Sequence, residues 1–364
     1  MQKAYAEKFP DSNLVDGMID VLKAGGNVQQ GDADKAVKIF EELREMASTT
    51  STDEPEAELG ALLALSLMNA DPPEFGRAYD IMIDTLDDSL LRLEKLTKQA
   101  SGRSLEEAGR DVERHFHALL TLLSTQPADP KRDRACLARL VRFRNLFNLR
   151  ARYLERLHHR AKAKSNTRFG ELLDMIQSLR AAYVATESSS VPGARELGHR
   201  IWEKLEIAEA YAARFVDDSA LPPPESLDEL LERLPENSAV IITTSYLHLL
   251  GNKRYPAGPA YTVFLTQKDS IKRIDFREGA MIRDLCKAFR DELIPEQKED
   301  DRGPAGLITK PPATHSMKHR KLLGSALLAP ILKQLPENVQ TVYLSPEGVL
   351  ATIPWGVLPS RDGR

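Results

Sequence analysis

Cysteine is nearly missing from this chain, and the shortage narrows its chemistry. Two thiols, Cys136 and Cys286, lie far apart among 364 residues, which argues against a disulfide framework or a cysteine-rich metal site. Absent too is any run of roughly twenty uninterrupted apolar residues, so no membrane span is expected. The opening Met1-Gln2-Lys3-Ala4-Tyr5-Ala6-Glu7-Lys8 lacks the apolar core of a signal peptide. Charge bias is small, with a net charge of −4, so the whole chain is not a polycation. No Gly-x-Ser-x-Gly elbow appears, and Gly303-Pro304-Ala305-Gly306 followed by Lys310 lacks the Gly-Lys-Ser/Thr of a phosphate loop. With 42% apolar and 6% aromatic residues, the chain can build ordinary cores with few large rings. These features lead us to expect a soluble, cytoplasmic protein of about two or three domains, with no membrane partner and no cofactor or metal.

What is present begins as helix after helix. Leu14, Met18, Val21 and Leu22 fall at helical spacing, and Gly25-Gly26-Asn27 stops them. From Gly31 to Leu43, the residues Ala36, Ile39, Phe40 and Leu43 form one apolar stripe. A second pair runs from Glu58 through Pro72-Pro73 to Ala78-Tyr79-Asp80-Ile81-Met82, with Thr49 to Pro55 as a loop. Ser188 to Gly193 breaks the series, and a further helix pair is expected from Ala194 to about Val216. Leu221-Pro222-Pro223-Pro224 is a stiff linker and marks a domain boundary.

The segment from Lys131 to Lys164 is the most charged helix, with twelve basic residues against Asp133 and Glu155. An electrostatic footprint for nucleic acid or an acidic protein is one reading. The favoured one is a scaffold helix whose arginines face acidic segments near Glu41–Glu58 and Asp84–Asp88, while Leu140, Phe143, Phe147, Leu154 and Leu157 hold an apolar stripe.

After residue 234 the periodicity changes. Ala239 to Leu247, Tyr261 to Leu265 and Ile271 to Phe276 read as strands. A helical stripe of Met281, Ile282, Leu285, Ala288 and Phe289 follows, then a mobile loop from Pro295 to His315 and a helix from Lys318 to Leu335. A last strand from Val339 to Ser345 has the composition of a buried one. It ends in Ser345-Pro346-Glu347-Gly348, where Pro presets φ and Gly accepts a positive φ.

Two resemblances follow from these residues. Gly31 to Leu43 resembles the second helix of a tetratricopeptide (TPR) repeat, with Gly-Asp, Lys-Ala and an aromatic in register; the period is not sustained, so the array is irregular. The C-terminal third resembles the CHAT domain, a caspase-like family often found behind TPR arrays. Leu234-Pro235 with its strand is similar to the family's opening, and Tyr261 to Phe276 to its hairpin. Leu322 to Ile331, Val342 to Leu350 and Ile353-Pro354-Trp355 are similar to its helix, strand and Ser-Pro-acidic-Gly turn. The expected architecture is an irregular TPR-like α-helical array over residues 1–220, then a Pro-rich linker and short helix over 221–233. By the CHAT resemblance, residues 234–364 are expected to be the N-terminal part of an α/β caspase-like αβα sandwich.

The CHAT resemblance implies a cysteine endopeptidase in which a His activates a Cys thiol. In the family both follow later strands, so the dyad is expected beyond residue 364 and no catalytic residue is assigned within this chain. Cys286 lies on an apolar stripe and reads as a small buried hydrophobe; Cys136 has Arg139 nearby but no base placed with it. His315 and His319, four apart, could pair on a helix but have no further ligand beside them. His115 and His117, like His158 and His159, are wrongly spaced to share a helix face. The expected function is therefore a regulated protease portion whose array binds a protein partner and whose full domain would take a peptide substrate. The alternative is a non-enzymatic adaptor or scaffold.

Overall fold

The structure is a computed structural model; it describes residues 34, 36–42, 54–99, 102–163, 167–187, 193–213, 225–249, 258–293 and 318–358. The expected helix around Leu14–Leu22, the Leu221–Pro224 linker, and the Pro295–His315 loop with His315 fall outside these residues. The first helices are α1 (Glu54–Asn69), α2 (Phe75–Gln99), α3 (Gly102–Thr125), α4 (Pro130–Ala163), α5 (Thr167–Glu187) and α6 (Ala194–Ala213). Pro55 opens α1 instead of closing a loop, because a proline in the first turn forfeits only an N–H that has no helical partner anyway. The expected pair after Ala194 is one helix among the described residues. Chain neighbours pack: α1 on α2, α2 on α3, and α5 on α6. Ala36 and Phe40, on the apolar stripe read between Gly31 and Leu43, are buried, as are Ala78 and Met82 on α2.

The long helix α4 starts where it does for a local reason. Asp129 Oδ1 accepts the backbone N–H groups of Lys131 (2.9 Å) and Arg132 (3.3 Å), capping two orphan donors, and Pro130 occupies the first helical position. A short helix, α7 (Leu227–Glu232), has a complete capping box between Ser226 and Glu229. It docks on α4 through Asn145 Nδ2, which donates to Glu225 O at 2.8 Å, and through the Arg134–Asp228 pair.

Among the described residues four strands follow, in the order β3-β2-β1-β4. They are β1 (Ser238–His248), β2 (Gly258–Thr266), β3 (Ile271–Phe276) and β4 (Thr341–Ser345). The first three form an antiparallel meander, while β4 runs parallel to β1, with Ala239 opposite Val342 and Ile242 opposite Ser345. Between β3 and β4 lie α8 (Gly279–Leu293), α9 (Lys318–Leu323), a π-helical turn (Gly324–Leu328) and α10 (Ala329–Gln334). Pro330 accounts for the π turn: it has no N–H and its ring crowds the carbonyl four residues back, so the turn widens and Ala329 N–H reaches Gly324 O.

The strand period of two divides the sheet's side chains between two helical layers. Val240, Ile242, Tyr246, Ala260, Phe264 and Ile271 share one core with α1–α4 and α7. Ala239, Ile241, Tyr261, Val263 and Leu265 face α8, the 318–334 helix and the 3₁₀ turns around Leu350 and Trp355. Helices, sheet and helices thus form three layers, one of them supplied by the N-terminal array. The pair α5–α6 keeps its own cluster around Phe169, Leu173, Ile176 and Leu205.

Within the array-facing layer lies a buried ion triad. Arg273 on β3 places Nε 2.9 Å from Asp133 Oδ1 on α4 and Nη1 3.1 Å from Asp275 Oδ2. These approaches are close charge contacts, off-axis for hydrogen bonding. Arg273 Nη2 also donates to Gln126 O at 3.3 Å, and Thr262 Oγ1 to Asp275 at 2.8 Å. Burial raises both carboxyls, Asp133 to about 6, against the opposing pull of the Arg273 guanidinium they share. Replacing Arg273 by Ala should cost about 3–5 kcal/mol in urea unfolding at neutral pH, since two buried carboxylates lose their counter-ion. Asp133 has a raised folded pKa, so its contribution is present below its unfolded value of about 3.9 and is lost as pH rises through about 6. The stability difference between wild type and Asp133→Asn should therefore move against wild type from about pH 4 to about pH 7.

Candidate functional site

Two features meet at the far side of the sheet from β3: an open strand and a polar corner. The terminal strand was expected to be buried. It is exposed along its whole length, including Val342 (37%), Tyr343 (47%) and Leu344 (42%). Position explains the difference: β4 takes the outer place beside β1, so one of its backbone edges has no strand neighbour among the described residues. By register, Val342 and Leu344 lie on the α8 side and Tyr343 on the array side. Both faces are therefore open, the α8 side apolar and the array side carrying Tyr343 between Thr341 and Ser345. The strand carries no charge, no proline and no bulge, the usual devices that keep an edge from pairing.

The corner lies where β4 ends and β1 continues. Past the Ile242–Ser345 pair, Thr243 has no β4 residue opposite it. Its carbonyl accepts from Arg144 Nη2 at 2.6 Å, and its hydroxyl accepts the Glu347 N–H at 3.0 Å. Arg144 also pairs with Glu347 and reaches Ser345 Oγ at 3.3 Å. Gly348 completes the turn with φ +58°, a conformation that side-chain-bearing residues rarely adopt. Burial and the nearby Glu347 carboxylate raise the Glu113 carboxyl, against the pull of Arg110.

Arg144 lies eleven residues beyond Asp133 on α4, a rise of about 16 Å along a helix. Three strand spacings from β3 to β4 amount to about 14 Å. The two lengths agree, so α4 spans the sheet from edge to edge. It is ion-paired to β3 at Asp133 and to the β4 turn at Arg144.

Other arginines in the described half of the basic helix are engaged with acids of the chain. Arg139 pairs with Asp87, Arg142 with Glu94 at 2.7 Å and Arg134 with Asp228, while Arg132 stacks 5.0 Å over the Tyr79 ring. Asp87 falls in the acidic segment that the charge pattern pointed to. Side chains beyond Leu146 on this helix, including those of Phe147, Leu154 and Leu157, lie outside the described residues.

The sequence candidates do not converge. Cys286 is buried between α8 and the sheet, and desolvation pushes its thiol up to about 11. Met281, expected on the same stripe, is instead 44% exposed. Cys136 is buried below the ion triad, and burial pushes its thiol up to about 12 despite Arg273 and Arg139. His319 starts a helix without His315 among the described residues. His117 is half-buried and desolvation lowers its pKa. No group of three metal-ligating side chains occurs among the described residues, and no described helix is long and apolar enough to cross a membrane.

Two Ser–His contacts that sequence reasoning missed do come together. Ser124 Oγ lies 3.1 Å from His248 Nε2, and Ser89 Oγ lies 2.9 Å from His115 Nδ1. Each serine hydroxyl donates within its own helix, Ser124 to Thr121 O and Ser89 to Thr85 O. The imidazole must then donate in both contacts and cannot act as the serine's base. Both pairs are buried structural bonds. Also missed was a repeated tetrapeptide, Leu-Pro-Glu-Asn, at 234–237 and 335–338. It precedes each of the two parallel strands, and Asn338 Nδ2 donates to Asn237 Oδ1 at 3.3 Å. Asn237 adopts φ +57°, and its carbonyl accepts from Gln340 N at 2.8 Å, which starts the β1–β4 pairing.

The polar groups of the corner are engaged by Arg144 and by one another, while the open β4 edge offers a ladder for an extended chain. Both thiols should resist a thiol-reactive dye in the folded protein and titrate only in denaturant; rapid labelling of either under native conditions would contradict their burial. No protein-family model, curated protein or solved structure matches this chain.

Proposed function

We propose that this chain is the N-terminal portion of a TPR-like/CHAT protein, with the catalytic His and Cys beyond residue 364. The whole protein would be a regulated caspase-like cysteine endopeptidase. The observation that supports this reading is β4. A strand parallel to its neighbour, uncharged and with Val342-Tyr343-Leu344 at its centre has the composition of a sheet interior, yet it is exposed along its length. A continuing caspase-like sheet would pair its edge and cover its faces. The three-layer order of helices around the sheet and the Ser345-Pro346-Glu347-Gly348 turn are in keeping with the same family. On this reading the later His would take the proton from the later Cys, and the thiolate would attack a peptide carbonyl.

The helical array would bind the regulating protein. Leu197, Ile207 and Tyr211 on α6, with Met175 on α5, are large apolar side chains that remain exposed, the composition of a partner surface. A non-enzymatic adaptor is the second reading, and it rests on these same residues.

The test is the reading frame past Arg364. The proposal expects a His-bearing and then a Cys-bearing strand end, with peptidase activity abolished by changing that Cys to Ala. A stop codon after Arg364, with no peptidase activity, would leave the adaptor. Residues 1–364 alone should associate in a concentration-dependent way, and Tyr343→Lys should weaken that association several-fold by placing a charge on the open edge. Sedimentation at rising concentration measures it. A wild-type chain that stays monomeric throughout would count against an interior role for β4.

A further inference from the structure

We infer that Arg144 is a latch by which the helical array holds β4 and the Ser345–Gly348 turn in place. The inference deepens the reading that the array regulates the C-terminal part. It concerns residues present in this chain and needs no peptidase activity.

Three observations carry it. First, β4 is weakly held by the sheet: it has five residues, one strand partner among the described residues and exposed side chains throughout. Second, its two ends are fastened differently. The start is tied to its neighbour by Asn237, whose carbonyl takes Gln340 N and Thr341 N and whose side chain takes Asn338. The end is tied to the array, because one guanidinium on α4 grips Thr243 O on β1, Ser345 Oγ on β4 and the Glu347 carboxylate on the turn. Third, α4 is fixed at the other edge of the sheet by the buried Asp133–Arg273 contact and packs on α5 beyond it. A tilt of α4 would pivot about the buried end and act at Arg144, some three turns along.

The latch is suited to release. Arg144 and Glu347 are partly exposed, at 22% and 42% of their side chains, whereas Arg273 and Asp133 are at 2% and 1%. An interaction near the surface is opened at far lower cost than one fully desolvated. When the latch opens, Thr243 O loses its donor and Glu347 its counter-ion, and the end of β4 is free to leave β1. A partner that moves the array would therefore act first on the open edge of the sheet.

Hydrogen exchange of the full 364-residue chain tests this. In Arg144→Ala, amides of residues 341–350 should exchange about tenfold or more faster, the loss expected for a charge-assisted hydrogen bond. Residues 258–276 of β2 and β3 should be unchanged. Glu347→Gln leaves the Arg144 stem packed and should give the same local pattern, and the double variant should add little to either single change. Arg134→Ala, which removes another surface pair of the same helix, should leave residues 341–350 unaffected. Unchanged exchange at 341–350 in both Arg144→Ala and Glu347→Gln would overturn the latch. So would acceleration spread equally over 258–276, because Arg144 would then be a general packing residue.

Discussion

One helix crosses the sheet, and much of this structure depends on that crossing. Asp133, one turn into α4, meets Arg273 in a site closed to water. Arg144, three turns later, meets the turn after β4 at the opposite edge. The first contact is expensive to break because it strands a buried charge, and so it fixes where α4 lies on the sheet. The second is partly exposed and lets that position be felt at the far edge. A hydrophobic layer alone could slide; an off-centre guanidinium shared by two carboxylates and a backbone carbonyl cannot slide without losing partners.

The core follows from the same arrangement. One face of the sheet is completed by α3 and α4, in the same apolar cluster that buries Leu62, Leu86 and Leu119. Burying a side chain such as Phe264 or Ile242 is worth about 1.5–3 kcal/mol, and these residues face the array. The array is thus a structural layer of the sheet domain. Motion in one part has a mechanical path to the other, through α4. The open β4 strand lies at the end of that path.

Element types were legible in the sequence from Glu58 onward. The helical stripes of Ala78–Met82 and Leu140–Phe143, the three strands and the 318–334 helix follow from spacing alone. The pairing of the basic helix with Asp87 could be guessed from charge. Less could be read where a local signal competes with a neighbour. Pro55 looked like part of a loop but opens a helix, and Met281 fits an apolar stripe yet lies at its outer margin. The buried triad had no sequence signature, because Asp133, Arg273 and Asp275 become neighbours only when α4 lies across β3. The Leu-Pro-Glu-Asn repeat was a signal in plain view for the parallel pairing of β1 with β4.

Sequence by itself determined the succession of helices and strands, the Asp129 cap, the Pro330-driven π turn and the glycine at residue 348, because each rests on interactions within a few residues. Tertiary structure alone decided which face of the sheet meets the array, which strand stands at the edge, and which of the many arginines holds the turn. Those outcomes depend on contacts between residues a hundred or more positions apart. The same Val342-Tyr343-Leu344 that reads as an interior strand from composition is an exposed edge, because burial is a property of neighbours and not of the segment.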